Sequence, residues 1–222
     1  EILMPARIKK NHRGQKSRPY GKNNRIDSSQ TGSFRIIGGE WRSRRLNFPA
    51  LEGLRPTTDR VKETVFNWLM PYLPGARVLD LFAGSGSLGL EALSRGAGEL
   101  CSIEKSSQAA SSLKENYALL GGAAERAVVE CLDALTWLQA SPKQQGAFDI
   151  LFLDPPFRKG LLTETLALIE ESEILAKGAV IYLEQEKEGV LPAIPKDWQL
   201  MKEKVAGQVS YQLYQRQASD QI

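Results

Sequence analysis

The sequence predicts an α/β fold: a doubly wound, mostly parallel seven-stranded sheet that ends in an antiparallel hairpin, preceded by a small β-hairpin and helix. Three observations predict it. Beyond Pro74, five short apolar runs alternate with stretches of helical period. The first run leads straight into a glycine-rich turn, "DLFAGSGSLG". After the last, two alternating runs flank Gly207 in the manner of a closing hairpin.

In chain order, residues 1–33 are rich in Lys, Arg, Asn, Ser and Gly, have no apolar period, and are expected to be a disordered basic extension. Met4 is the expected native start, with Glu1 to Leu3 left from processing. From Phe34, "FRIIGGEWRSRRLNF" reads as a β-hairpin around Gly38 and Gly39 that carries Arg42, Arg44 and Arg45. "RPTTDRVKETVFNWL" reads as an extended Arg55-Pro56 followed by a helix capped by Thr57, Thr58 or Asp59, with Val61, Val65, Phe66 and Leu69 on its apolar face. Residues 34–73 thus form an N-terminal unit, and 74–222 the main domain. Within it, strands are expected at 77–82, 99–103, 126–131, 148–153 and 178–184, with helices at 87–95, 106–120, 134–140 and 161–171.

Composition removes several chemistries. The 222 residues include one histidine, His12, and two cysteines, Cys101 and Cys131, too few for an ordinary Cys/His zinc site, so no metal is expected. His12 lies in the polar tail, which excludes a Ser-His-Asp triad. Both cysteines fall in apolar runs and are expected as buried thiols of a reducing compartment. No apolar run reaches the roughly 20 residues of a spanning helix, so a soluble cytoplasmic protein is expected. Charge is lopsided: residues 1–45 hold 12 Lys/Arg against three acids, a net of +9, and the remaining 177 residues carry a net of −6. A basic front end beside an acidic body suits a polyanion such as nucleic acid. A solvated tail without a partner has the same composition.

Gly84, Gly86 and Gly89 follow the first strand and open a helix, where glycine lets the chain turn sharply and a ligand approach the backbone. Alone, G-x-G-x-x-G also fits a nicotinamide dinucleotide, with Glu104, 20 residues after Gly84, on the ribose. Asp80 shifts the balance. It stands four residues before the first glycine, where it would repel a pyrophosphate and attract a cation. S-adenosylmethionine, with its sulfonium and free ammonium, is the expected cofactor, and Asp133, past the third strand, is placed to meet an adenine amino group. Each acid could instead be structural: Asp80 or Asp133 a helix cap, Glu104 the start of the next helix.

Strand four delivers "LDPPF" to the same edge of the sheet. Two prolines stiffen the backbone. Asp154 and a proline carbonyl of Pro155 or Pro156 can then accept hydrogen bonds from an exocyclic amine while Phe157 offers a flat face to its ring. Held so, the amine points its lone pair at a methyl donor, and Asp154 stabilises the charge that develops on nitrogen. A plain strand terminator is the competing reading of the same residues.

"DLFAGSGSLGLEALSRGA", "IEKS", "LDA" and "LDPPF", with "FRIIGGEWRSRRL" and "RPTTDRVKETVFNWL" upstream, resemble the bacterial ribosomal RNA methyltransferases that methylate guanine N2 of small-subunit (16S) RNA, over about residues 34 to 216. The glycine loop and DPPF corner are shared with DNA adenine and protein glutamine methyltransferases; the Gly-Gly…Arg hairpin and the Arg55-Pro56-Thr57 helix are the narrower signal. The resemblance implies a Rossmann-like class I methyltransferase fold. It also implies Asp80, Gly84 and Gly86 at the methionine end of S-adenosylmethionine, Glu104 on the ribose and Asp133 with Ala134 on the adenine, with Phe82, Ala83 and Lys105 lining the same site. Asp154, Pro155, Pro156 and Phe157 would hold the guanine, and Arg42, Arg44, Arg45 and Arg55 the RNA. The expected partner is ribosomal RNA, naked or within an assembling small subunit, bound by a monomer. DNA adenine-N6 methylation and a non-catalytic RNA-binding module are the alternatives.

Overall fold

The computed structural model describes residues 31–140, 147–157, 160–190 and 192–217. Most of the expected basic extension, residues 1–30, lies outside the described residues. Its last three residues do not extend it: β1 (Thr31–Arg35) begins at Thr31 and pairs antiparallel with β2 (Arg45–Pro49), Phe34 opposite Leu46. Burial explains the earlier start, because Phe34, Leu46 and Phe48 all enter the core from this hairpin.

Helix α1 (Asp59–Leu69) starts at the Thr58 cap, whose hydroxyl accepts from the Val61 amide at 3.4 Å. The expected apolar face holds: Val65, Phe66 and Leu69 are fully buried and Val61 nearly so. Truncating Phe66 to alanine would cost about 3–5 kcal/mol, the range for a buried aromatic. A short 3-10 turn (Met70–Tyr72) and the Pro74-Gly75 corner then lead into the sheet.

The sheet is built from β3 (Arg77–Asp80), β4 (Glu99–Ile103), β5 (Ala127–Glu130), β6 (Phe148–Leu153), β7 (Leu175–Glu186), β8 (Trp198–Ala206) and β9 (Val209–Arg216), in the order β5-β4-β3-β6-β7-β9-β8. Strands β3 to β7 run parallel, and β9 pairs antiparallel with both β7 and β8. Helices α2 (Ser87–Ser94), α3 (Ser107–Leu119), α4 (Ala134–Ala140) and α5 (Leu161–Ser172) make the crossovers. This is the expected Rossmann-like methyltransferase fold with its closing hairpin about Gly207. Strand β7 begins three residues before the expected 178, because a register shift between Phe148 and Ile150 lets it bulge.

Alternation along the central strands fills two apolar layers. Val78, Ile150, Phe152, Val180 and Tyr182 face the hairpin, α1, α2 and α3; Leu79, Leu151, Leu153, Ile181 and Leu183 face α4 and α5. One cysteine departs from expectation. Cys101 is half-buried, but Cys131 follows the short edge strand β5 and is exposed. No described helix is long and apolar enough to cross a membrane.

Candidate active site

Strand order reverses between β3 and β6, and ligands of doubly wound folds sit outside the carboxyl ends of the strands at such a switch. Asp80 ends β3 and Asp154 follows β6, one on each side of the switch. Register aligns Asp80 with Phe152 and Ser102, so Asp154 and Glu104 each stand two residues farther out at the same edge.

Asp80 is 2% exposed and accepts one hydrogen bond, from the Gly89 amide at 3.3 Å. No cation pairs with it among the described residues. Burial, reinforced by the charge of Glu104, pushes its carboxyl up to about 7. The Gly89 amide belongs to the first turn of α2, so Asp80 does cap that helix; the one bond lowers its carboxyl by less than burial raises it, and no described cation offsets the rest.

The glycine turn is held from the next strand. Gly84 donates to Glu104 Oε2 at 2.8 Å and the Ser106 amide donates to Oε1 at 2.7 Å, so one carboxylate ties the loop to the start of α3. Gly86 caps α2 with φ 78°, and a Cβ there would come within 2.3 Å of Leu113. Ala83 is buried and donates to the Ile103 carbonyl, while Phe82 is half-buried on the opposite layer. Leu54 lies over the loop, its Cγ 3.9 Å from where a Cβ of Gly84 would stand.

Asp133 is a cap and an ion pair at once. Its Oδ1 accepts from Leu135 and Thr136 at 3.1 and 3.3 Å, and its Oδ2 meets Lys105 Nζ at 3.0 Å. The ammonium of Lys105 holds the Asp133 carboxyl below the ordinary range. Ala134 is buried at the head of α4.

Beyond β6, Asp154 is half-buried, Pro155 buried, and Pro156 and Phe157 exposed, Phe157 at 39%. Low-dielectric surroundings and the charges of Glu184 and Asp80 raise the Asp154 carboxyl well above the ordinary range. Glu184 is the residue that sequence reasoning missed. It lies on β7 beside Asp154, is 9% exposed, and accepts from the Tyr182 hydroxyl at 2.7 Å. In sequence its signal is faint: an acid two residues after a tyrosine at the close of an apolar run, "VIYLEQE".

The four arginines do not converge. Arg42 and Arg44 belong to the loop between β1 and β2, which docks on the far ends of α2 and α3: Glu40 and Trp41 amides bond to Ser94, and Arg44 to the Leu119 carbonyl at 3.3 Å. Gly39 makes that approach feasible, since a Cβ would fall 1.8 Å from the Ser94 oxygen. Helices α2 and α3 run back from the crevice, so these arginines stand on the order of 12–20 Å from it, a helix length at 1.5 Å per residue. Arg45 shares a groove with Arg35 and Pro56 to Asp59, and Arg55 follows Leu54 on the segment over the glycine loop. Arg42, Arg44, Arg45 and Arg55 are all exposed.

Residues 34–215 match the family described as "Conserved hypothetical protein 95". The chain is 51% identical to Ribosomal RNA small subunit methyltransferase D of Escherichia coli K12 over 191 residues, 86% of this chain and 93% of that protein. It is 48% identical to the protein of the same name from Haemophilus influenzae, over 83% of this chain and 94% of that one. The solved structure of yhhF from Escherichia coli superposes with a TM-score of 0.76 at 48% identity, covering 85% of this chain and all of the other. With identity near one half sustained across most of both chains, this chain belongs to that family, the bacterial small-subunit (16S) ribosomal RNA methyltransferases.

Proposed function

We propose that the chain transfers a methyl group from S-adenosylmethionine to the exocyclic N2 amine of a guanine in 16S ribosomal RNA. One observation carries the reading. Asp80 and Asp154 face each other across the strand switch, and neither has a cation among the described residues. A crevice with two unpaired acids suits a cationic donor on one side and an N–H-bearing acceptor on the other. A dinucleotide pyrophosphate would be repelled from the same place.

The residues fit the cofactor. Asp80 would pair with its cationic end, Gly84 and Gly86 would leave room for it beside the backbone, and Phe82 and Ala83 would border it. Glu104, both oxygens already accepting one amide each, keeps lone pairs for ribose hydroxyls. Asp133, Lys105 and Ala134 would line the adenine end. When bound, S-adenosylmethionine supplies a methyl on sulfonium, whose sulfur–carbon bond breaks with its electron pair on sulfur as the amine lone pair forms the N–C bond.

The remaining work falls to the Asp154 corner. The two prolines fix its backbone before substrate arrives, so little ordering remains to oppose the reaction. Asp154 and a proline carbonyl would accept the two amine hydrogens and turn the lone pair toward the methyl. Their attraction grows as nitrogen becomes positive, which makes the help specific to the transition state. Phe157, exposed in the free protein, would stack on a base turned out of its strand. The test is methyl transfer from labelled cofactor to separated rRNA, DNA and protein. Label recovered as N2-methylguanosine from 16S RNA is expected; label confined to DNA adenine or to protein would refute it.

A further inference from the structure

We propose that Glu184 is a positioning residue for this transfer: it takes over the proton of Asp154 when a target amine docks, so that Asp154 meets the amine as a carboxylate. The inference rests on the amine-methylation reading above. Pairing of Phe152 with Tyr182 and Leu153 with Leu183 makes Asp154 and Glu184 the next neighbours on adjacent strands. Adjacent strands run about 5 Å apart. Both side chains share the sheet face of Asp80 and Tyr182 by strand alternation.

Glu184 is too buried to be an ordinary surface acid and pairs with no cation among the described residues. Its hydrogen-bond partner is the Tyr182 phenol, itself fully buried. Two carboxyls this close, one buried and the other half-buried, do not both ionise readily, so the free pair holds a proton. Burial lifts both carboxyls above the ordinary range. Donation from Tyr182 favours charge on Glu184, which leaves the proton on Asp154. An amine that donates to Asp154 reverses the preference, and the proton crosses to Glu184.

The balance then closes. The nitrogen lone pair forms the N–CH3 bond, the sulfur–methyl bond breaks with its electrons on sulfur, and the nitrogen is left positive. It gives one N–H proton to the Asp154 carboxylate, and the pair, now neutral with two protons, returns one to water. The titratable groups around the pair are Asp80 from β3, Tyr182 on β7 and Tyr211, which β9 sets opposite Glu184. From α1, Phe66 packs on Phe152, and Lys62 is engaged by the Arg35 carbonyl and Asp59.

Infrared spectroscopy and pH–rate profiles test this together. In an Asp80→Asn background at about pH 6, chosen to remove that residue's own proton, a protonated-carboxyl stretch is expected in the free protein and is lost on adding Glu184→Gln. Single-turnover methylation of 16S RNA by Glu184→Gln is then followed across pH. Its acid limb should move down by about one pH unit, because the repulsion that raises Asp154 is gone. Tyr182→Phe should move the limb the same way by less, and it carries the kinetic arm should Glu184→Gln fail to fold. A folded Glu184→Gln protein with the unaltered pH profile, an unchanged infrared band, or an unmoved Tyr182→Phe profile each overturns the proposal. Absence of any RNA methylation by the unaltered protein would instead sink the methylation reading, and the infrared arm would still decide whether the pair holds a proton.

Discussion

Among the described residues two glutamates are buried, and their surroundings differ completely. Glu91, 0% exposed on α2, accepts from Arg95 Nε at 2.7 Å and from the Ile37 amide at 2.8 Å, so that it pins the N-terminal hairpin loop to the helix. Glu184, 9% exposed on β7, has a phenol and an acidic neighbour, Asp154, and no described cation. A buried acid with a cation and an amide is a fastener; one left among other acids holds a proton or waits for a ligand. The seam between hairpin and α2 therefore reports on assembly, and the crevice on chemistry.

Breaking the seam should give the largest effect and the wrong kind for catalysis. Glu91→Ala strands Arg95 and the Ile37 amide, which should cost about 3 kcal/mol, the lower end for one member of a buried pair since Arg95 keeps some water contact. Thermal melts should show a drop of several degrees, while methyl transfer per folded molecule stays within a few-fold. A Glu91→Ala protein of normal stability would erase the contrast with Glu184.

At the crevice the prediction inverts. Asp154→Ala should leave cofactor affinity within a few-fold and stability equal or higher, while transfer falls by at least about a hundredfold, the scale for one preorganised electrostatic contact. Asp154→Asn should be milder, since its amide oxygen still accepts a hydrogen bond. A strand terminator would behave oppositely, losing stability and keeping turnover. Melts run beside single-turnover methylation separate the two.

How far the sequence carried depended on whether a feature was local. Helical period placed Val61, Val65, Phe66 and Leu69 on the buried face of α1, and the strand ends placed Asp80, Glu104 and Asp154 at the carboxyl edge of the sheet. Each of those signals lies within one element or at its end. Glu184 could not be found the same way, because its meaning comes from β7 lying beside β6 with Leu183 opposite Leu153. Likewise, nothing in "IIGGEWRSRR" says that Gly39 will close on Ser94, 55 residues later, and carry Arg42 and Arg44 away from the crevice. Cys131 was misjudged for a related reason: a short edge strand has one open side.

Asp80 sharpens the comparison through pH. Its folded value, about 7, lies above that of an unfolded aspartate, so the folded state binds the extra proton. Stability from this group is therefore full below about pH 4 and is lost as pH rises through about 7, by up to about 4 kcal/mol for three units. Binding of a cation runs the other way, since it needs the carboxylate. S-adenosylmethionine affinity should rise about tenfold per unit up to about pH 7 and level off above it. Asp80→Asn should flatten both trends and weaken the cofactor about tenfold, measured by calorimetry across pH. An affinity independent of pH in the unaltered protein would remove Asp80 from the cofactor site.

The smallest effect separates the arginines. Arg42 and Arg44 stand at the end of α2 and α3 remote from the crevice, whereas Arg55 follows Leu54 over the glycine loop. If RNA runs across both, each arginine that neutralises a phosphate adds about 0.7–0.9 to the slope of log affinity against log salt. Alanine at Arg42 and Arg44 together should reduce that slope by between one and two, weakening RNA binding while the single-turnover rate at saturating RNA stays unchanged. Arg44→Ala alone also frees the Leu119 carbonyl, but that group is at the surface end of α3 and water can replace the arginine there. Arg55→Ala should change the slope by about one and lower the saturated rate as well, because its segment borders the glycine loop. Equal losses of rate from the near and the far arginines would mean that the hairpin loop does more than hold RNA, and that the seam at Glu91 and Ser94 transmits its contact to the site.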